Sequence, residues 1–247
     1  MGADPDGRYY SYTRGGAELY DALGINGTTY EIGFEAVRLA LGSIQGEVFL
    51  HFGCGTGRSA AFLRSLGAKR VYAVDRNQDM IDTALAKRLD GVDFMRIDEA
   101  IPLPDESVDG AVSLNVFIEI RTLAEMTRIC GEVARVLRPT SSFIVESSSP
   151  MAFGHTFRSY SYPVSGELRS GAITPCVVNT PAGQLVIEDT YWTEEDYVSA
   201  LSEAELTIST ISYPMPRDPS AWSTDEASVP PYIVIKAVKS RQHMRLR

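Results

Sequence analysis

Three glycines at alternating positions are the residues in this chain with the plainest chemical use. They stand in the run Gly53-Cys54-Gly55-Thr56-Gly57, between an apolar stretch and a stretch with helical spacing. Because glycine has no Cβ, a ligand can approach the backbone of such a turn closely, and the free N–H groups of the next helix favour a negative ligand group. Asp75 ends the following apolar run, where a carboxylate can accept hydrogen bonds from both hydroxyls of a ribose. The two features predict a site for an adenosine-containing ligand.

Glycine spacing alone leaves the kind of adenosine ligand open. Counted from Gly53, the dinucleotide fingerprint GxGxxG fails, because Arg58 stands in place of the third glycine. Counted from Gly55, the looser form of the fingerprint is met by Gly57 and Ala60. A nicotinamide dinucleotide is therefore not excluded by this count.

Around the glycine turn, short apolar runs alternate with helical stretches, which is typical of a parallel sheet wrapped by helices. Strands are expected at 48–52, 70–74, 92–97, 110–114 and 142–146. Helices are expected at 58–66, 78–88 and 123–137. We expect Asn77 or Asp75 to cap the second of these helices and Pro139 to end the third.

Beyond Ser147 the pattern changes. Residues 151–192 contain no clean helix and predict a loop followed by a hairpin, with strands at 172–178 and 184–190. The chain then offers a helix at 194–204, begun by Thr193 and Asp196 in a near capping box, and strands at 206–213 and 232–238. Before the first strand, two helices are expected at 15–23 and 30–41.

These elements predict an α/β fold with a seven-stranded, mostly parallel, doubly wound sheet whose last strand is antiparallel. The expected parts are an N-terminal helical cover (1–46), a core with the ligand site (47–150), a cap inserted after the fifth strand (151–192), the completion of the sheet (193–239) and a tail (240–247).

Composition bounds the class of protein. The chain has 247 residues, 44% of them hydrophobic, which suffices for a large core. Its 23 basic and 32 acidic side chains give a net charge of −9, which disfavours nucleic acid as a partner. No apolar stretch approaches the roughly 18 residues that cross a bilayer, and no secretory signal is evident. Three cysteines without CxxC spacing indicate neither a zinc site nor a disulfide framework, so we expect a cytoplasmic protein without a membrane partner.

The segment VFLHFGCGTGRSAAFLRSLGAKRVYAVDRNQDMIDTA resembles the opening half of class I S-adenosylmethionine (SAM)-dependent methyltransferases, whose first motif usually reads D-x-G-C-G-T-G after an apolar run. The similarity continues through IDEAIPLPDESVDGAVSLNVFIEI and EVARVLRP, and resumes weakly in DTYWTEEDYVSALSEAEL. The resemblance favours SAM over a nicotinamide cofactor, and it is to the members that act on small molecules and natural products.

The resemblance implies a set of cofactor-binding residues. The turn under the amino-acid end of SAM would be formed by Gly53, Cys54, Gly55 and Gly57, while Asp75 would hold the ribose hydroxyls.

The adenine and methionine ends of SAM have implied residues of their own. Arg76 would flank the adenine, Asp98 would receive its amino group, and the backbone of Glu99 would reach a ring nitrogen. Asn115 would touch the methionine moiety.

Two positions depart from the family's pattern. His51 stands where an Asp usually accepts hydrogen bonds from loop amides or, through water, from the SAM ammonium. A neutral imidazole accepts only one such bond, so we expect SAM affinity to fall at low pH. Pro139-Thr140-Ser141 replaces the frequent Pro-Gly-Gly, a change in a turn that we expect to be silent.

Methyl transfer is an in-line displacement, so the acceptor must lie roughly 3–3.5 Å from the methyl carbon. The cover and the cap are rich in aromatic residues, which suits a small, largely apolar acceptor. His155 is the first choice as general base, with Glu119 as its rival and Tyr160 as a further catalytic candidate. The residues expected to bind the acceptor are Tyr20, Tyr30, Phe153, Arg158 and Arg169.

The sequence thus predicts a SAM-dependent methyltransferase that acts at O, N or C of a small specialised metabolite. C-methylation of an isoprenoid alkene or diphosphate stays open, and a diphosphate would require Arg14, Arg158 and Arg169 to converge. An NAD-dependent oxidoreductase or a non-catalytic SAM-binding protein would contain a similar glycine turn, so both stay open as well. No metal ligand set is evident, no DPPY-like motif of amino-nitrogen nucleic-acid methylases follows the fourth strand, and a homodimer is possible.

Overall fold

Seven strands form the central sheet of the computed structural model, which describes residues 14–181 and 183–240. Except for Ser240, the predicted tail lies outside these residues. The strands are β1 (Val48–Phe52), β2 (Arg70–Asp75), β3 (Val92–Arg96), β4 (Val108–Leu114), β5 (Leu137–Ser148), β9 (Leu206–Ser212) and β10 (Tyr232–Lys239), and β6 to β8 belong to the insert described below.

The strand order is β3-β2-β1-β4-β5-β10-β9. The pairs β3–β2, β2–β1, β1–β4 and β4–β5 are parallel, whereas β10 is antiparallel to both β5 and β9. The predicted fold class, including the antiparallel last strand, is confirmed. The carboxyl ends of the parallel strands meet at one edge of the sheet, which is where ligands bind in open α/β folds.

Helices cover both faces of the sheet. They are α1 (Arg14–Asp21), α2 (Thr29–Leu41), α3 (Arg58–Ser65), α4 (Gln78–Ala86), α5 (Leu123–Val136) and α6 (Glu194–Glu203). Alternate strand residues point to opposite faces, so Phe49 joins the core under α1 to α4 while Leu50 joins the core under α5 and α6. None of the helices in the described part of the chain is long and apolar enough to span a membrane.

Two helix starts follow the predicted chemistry. Asn77 is the N-cap of α4, and its side chain accepts a hydrogen bond from the N–H of Met80 at 3.2 Å. Thr193 and Asp196 form a complete capping box at the start of α6. Each cap satisfies N–H groups that have no partner inside the helix.

The end of α5 corrects the prediction for Pro139. The helix stops at Val136, and the chain turns directly into β5, so Pro139 lies inside a strand. Pairing with β4 passes from Leu137 to Ser142, which makes residues 138–141 a bulge. Within it, Thr140 has a φ of +69°, a conformation that suits glycine far better than a β-branched residue.

The insert forms a small antiparallel sheet of β6 (Tyr160–Ser161), β7 (Ile173–Thr180) and β8 (Gly183–Thr190). Hydrogen bonds join the insert to residues 14–41 and 213–231, and we call these three segments the roof.

A buried carboxylate joins the three segments of the roof. Glu226 Oε1 accepts hydrogen bonds from Thr29 Oγ1 at 2.6 Å and from the backbone N–H of Arg158 at 2.7 Å. The N–H of Thr29 donates to Ser159 Oγ at 2.9 Å, and the N–H of Ser159 donates to Thr29 Oγ1 at the same distance. Since Glu226 is fully buried, these contacts fix the roof segments relative to one another.

Candidate active site

A cavity of about 1080 Å³, including its mouth, opens at the carboxyl ends of β1, β2 and β4. The predicted cofactor residues that line it are Gly53, Cys54, Gly55, Asp75, Arg76, Asp98, Glu99 and Asn115. We call it the cofactor cavity.

The glycine turn is shaped by packing as well as by its own flexibility. The N–H groups of Gly53 and Cys54 donate to the carbonyl of Val74 at 2.8 and 2.9 Å. Gly53 has a φ of +71°, and a Cβ there would lie 2.2 Å from a methyl of Val116. By contrast, a Cβ on Gly55 would meet no atom nearer than 4.0 Å, so this glycine faces the cavity. The turn thus leaves open backbone for a ligand.

Gly57 ends the glycine turn on the side that packs against the sheet, and it does not line the cavity. It caps α3 with a left-handed φ of +87°, and a Cβ would lie 2.6 Å from the ring of Phe94. Its role is therefore to let helix and sheet pack closely.

Asp75 is held in place by two backbone N–H groups. Its Oδ2 accepts from Gly55 and its Oδ1 from Asn77, each at 2.8 Å. Burial raises the pKa of this carboxyl, while the hydrogen bonds oppose that shift. A carboxylate has about four acceptor positions, so two remain for the two hydroxyls of a ribose. The free acceptor positions of Asp75 therefore fit the ribose of an adenosine.

The part of the cavity that is lined by Arg76, Asp98 and Glu99 carries charged side chains with hydrogen-bond partners. Arg96 donates to Asp98 Oδ1 at 2.5 Å, and Arg128 donates to the carbonyl of Glu99 at 2.8 Å. Arg76 pairs with Glu125 at 2.6 Å. The Asp98 carboxylate stays largely exposed at the cavity mouth and can still accept a hydrogen bond.

His51 lies outside the cavity lining, and its predicted pH effect is corrected. The side chain is buried, and neither ring nitrogen has a hydrogen-bond partner among the described residues. Burial lowers the pKa of His51 to about 3, so the ring stays neutral at ordinary pH. The N–H groups of the loop donate instead to the carbonyl of Val74 and to the carboxylate of Asp75. We therefore expect no loss of SAM affinity through protonation of His51.

Arg58 is a cavity residue that the sequence interpretation missed as a binding group. Its guanidinium stacks on the rings of Tyr20 and Tyr30 at 4.8 and 4.9 Å and donates to the carbonyl of Leu23 at 2.7 Å. The available signal was a cation in the first turn of a helix, where the helix dipole disfavours positive charge. This arrangement brings a fixed cation to the cofactor cavity.

A second cavity of about 350 Å³ adjoins the first, and we call it the acceptor cavity. Both cavities are lined by Tyr20, Asn115 and Glu119. The roof contributes Tyr30 and Tyr160 to the second cavity. Four of the predicted catalytic and acceptor-binding residues are thereby brought together: Tyr20, Tyr30, Glu119 and Tyr160.

The remaining predicted residues line neither cavity. His155 Nδ1 lies 3.1 Å from Asp225 Oδ2, so its ring is engaged in the roof. Phe153 stacks on Tyr162 with ring centroids 4.1 Å apart.

Neither of the two arginines that were predicted to bind the acceptor lines the acceptor cavity. Arg158 donates to the carbonyl of Gly27 at 2.9 Å and lies over the ring of Trp222. Arg169 is exposed to solvent and lines neither cavity.

Two acids of the acceptor cavity have shifted pKa values. Burial raises the pKa of Glu119 to about 8, and the charges of Asp189 and Asp75 add to that shift. Burial raises the pKa of Asp189 to about 6. The hydroxyl of Tyr162 opposes this shift, because it donates a hydrogen bond to Asp189 Oδ2 at 2.6 Å. The sequence interpretation missed Asp189, although an acid at an inward position of a hairpin strand was the signal for it.

Comparison with known proteins agrees with this geometry. The family model described as "Methyltransferase domain" matches residues 50–145. An N-demethylindolmycin N-methyltransferase from Streptomyces griseus is 28% identical over 69% of this chain and 75% of its own length. The cypemycin N-terminal methyltransferase of Streptomyces sp is 30% identical, and the match spans 58% of this chain and 59% of that protein.

Solved structures agree on the fold. A SAM-dependent methyltransferase from Mesorhizobium loti superposes with a TM-score of 0.65 at 20% identity, covering 87% of this chain and all of that one. The glycine turn, the buried acid that follows it and the family model lead to one conclusion: residues 50–145 form a SAM-dependent methyltransferase domain, with SAM as its cofactor.

Proposed function

We propose that this enzyme transfers the methyl group of SAM to a small, largely apolar acceptor bound in the acceptor cavity. One observation carries the proposal: the two cavities share Tyr20, Asn115 and Glu119, so an acceptor in one can reach a cofactor in the other. A lining of tyrosine rings and aliphatic side chains suits an apolar molecule.

Bound SAM supplies a methyl group on a positively charged sulfur. The chain's part is to bind and orient both reactants. Asp75 would accept from the ribose hydroxyls, the open backbone at Gly55 would hold the amino-acid end, and Arg58 would pair with its carboxylate. Asn115 stands between the cavities in a left-handed conformation, which its short polar side chain tolerates. The roof excludes water from the displacement.

The relatives support a natural product as the acceptor. Two of them are methyltransferases whose names refer to indolmycin and cypemycin. An isoprenoid diphosphate has less support, because none of the described residues that line the acceptor cavity is an arginine or lysine. Arg158 is engaged with Gly27 and Trp222 instead.

Filling the acceptor cavity tests the proposal. Ile187 is a buried lining residue on β8, so Ile187→Trp is expected to block methyl transfer from labelled SAM to a panel of small apolar acceptors while S-adenosylhomocysteine still binds. Val186 is the matched control, because it is exposed on the opposite face of the same strand. Wild-type transfer rates in a folded Ile187→Trp protein would place the acceptor elsewhere.

A further inference from the structure

The described residues of the acceptor cavity combine apolar walls with two acidic side chains and no basic side chain. Among the described residues that line it, Glu119 and Asp189 are the carboxylic acids, and none is lysine, arginine or histidine. The remaining walls are largely tyrosine rings and aliphatic side chains. A neutral apolar acceptor would supply no hydrogen-bond donor to these acids in a closed space, which is costly.

Asp189 is held with one oxygen free. The side chain is fully buried, its Oδ2 accepts from the hydroxyl of Tyr162 at 2.6 Å, and that hydroxyl is in turn 2.8 Å from Ser148 Oγ. Its Oδ1 accepts no hydrogen bond from the described residues. A buried carboxylate oxygen without a donor is rare in folded proteins. The geometry thus points to a donor supplied by the ligand.

We infer that the acceptor is an amine whose N–H group donates to Asp189 Oδ1 and whose nitrogen reacts beside Glu119. This inference rests on the proposed function and names the acceptor's chemical class. The tyrosine rings in the lining favour a cationic ligand as well, because an aromatic ring attracts positive charge. A carboxylate or diphosphate would be repelled by the same acids.

The balance of protons and electrons is consistent with this assignment. Asp189 takes a proton from the bound ammonium form and frees the nitrogen lone pair. The lone pair forms the new N–CH₃ bond, the C–S bond breaks with its electron pair left on sulfur, and the positive charge passes from sulfur to nitrogen. The proton on Asp189 is then released to solvent when the product leaves.

The charges around the two acids are consistent with Asp189 in this role. Glu119 faces Asp189 and Asp75, with Arg121 and Arg76 opposing their effect, and its pKa of about 8 leaves it mostly protonated at neutral pH. Asp189 faces Tyr162, Cys176 and Arg121, and its pKa of about 6 leaves it mostly ionised there. Because each acid's negative charge disfavours ionisation of the other, a bound ammonium group would stabilise the pair.

A series of arylalkyl amines of graded size tests the inference, each compared with the alcohol and the carboxylate of the same skeleton. Binding is measured by calorimetry with S-adenosylhomocysteine present. We expect the best amine to bind at least about tenfold more tightly than its alcohol, and the carboxylate not to bind. Asp189→Asn keeps the shape of the side chain and should reduce that preference by about tenfold to a hundredfold. Glu167→Gln removes an exposed charge elsewhere in the same insert and should leave the preference intact.

Three results would overturn the inference: an alcohol or carboxylate that binds as tightly as its amine, a series in which no amine binds, or an unchanged preference in Asp189→Asn. Titration of S-adenosylhomocysteine into each protein before any amine is added separates the two proposals. If the cofactor product binds and the amines show no preference, the amine assignment fails alone. If the cofactor product does not bind at all, the proposed function fails with it.

Discussion

Replacing Gly53 with alanine measures how far internal packing, and not the ligand alone, requires a glycine in the cofactor turn. The residue has a φ of +71°, and an alanine in that region costs about 1–2 kcal/mol. The added Cβ would also lie 2.2 Å from a methyl of Val116, and overpacking of this kind costs about 1–3 kcal/mol. Gly53→Ala should therefore lower the free energy of unfolding by about 2–5 kcal/mol, as measured by urea denaturation.

Gly55 is the matched control in the same turn. It has a φ of +51°, but a Cβ there meets only the sulfur of Met80, at 4.0 Å. Gly55→Ala should show the backbone cost of about 1–2 kcal/mol without the packing cost. Because this glycine faces the cofactor cavity, calorimetry should show a larger loss of S-adenosylhomocysteine affinity relative to the loss of stability.

A double variant isolates the packing part. Val116→Ala removes the methyl groups that the new Cβ would strike, so Gly53→Ala should cost about 1–3 kcal/mol less in the Val116→Ala background than in wild type. The reasoning is refuted if Gly53→Ala and Gly55→Ala destabilise the enzyme equally, or if the two substitutions at Gly53 and Val116 are additive.

Three further predictions concern the cofactor, the pH dependence of stability and the bulge in β5. Asp75→Asn should weaken S-adenosylhomocysteine binding about tenfold to a hundredfold in calorimetry, because charged hydrogen bonds to the ribose contribute about 1.5–3 kcal/mol. Burial raises the pKa of Glu146 from its ordinary 4.5 to about 8, so the folded protein binds this proton more tightly than the unfolded chain. Its contribution to stability is fully present below about pH 4.5 and is lost as pH rises through 8, and Glu146→Gln should flatten that slope in urea titrations at several pH values. Thr140→Gly should raise the free energy of unfolding by about 1 kcal/mol, because Thr140 has a φ of +69°.

The first of the three predictions has a control variant, and each has an outcome that would contradict it. Asp82→Asn removes an exposed acid from α4 and should leave cofactor binding unchanged; equal losses in both variants would contradict the role of Asp75. A wild-type stability that does not fall between pH 5 and 8 more steeply than that of Glu146→Gln would contradict the second prediction. A Thr140→Gly protein that unfolds at lower urea would show that side-chain contacts outweigh the backbone strain.

Local sequence patterns predicted most of the residues around the cofactor cavity. The glycine turn, the acid at the end of β2 and the cap of α4 depend on residues close together in the chain, and all could be recognised from residue type and spacing. Pro139 shows the limit of such reasoning. Its place inside β5 follows from the pairing of Leu137 and Ser142 with β4, which is distant in sequence, whereas local propensity indicated only a helix end there.

The lining of the acceptor cavity was harder to predict, because tertiary contacts bring its residues together. His155 and Asp189 both lie in the insert, yet Asp225 engages the first in the roof while the β7–β8 hairpin turns the second into the cavity. No spacing rule distinguishes these outcomes. Arg58 was identified as an interruption of a glycine motif, and its contact with Tyr20 and Tyr30 required the position of the N-terminal helices.

The buried contact at Glu226 has a consequence for the order in which the enzyme folds. Its bond to Thr29 closes a loop of 197 residues, whereas the bond from Gly55 to Asp75 spans 20. Long loops are slower to close, and during synthesis residue 226 leaves the ribosome long after residue 75. We therefore expect the glycine turn to form early and the acceptor cavity to be completed last, in one step that brings Thr29 and Glu226 together.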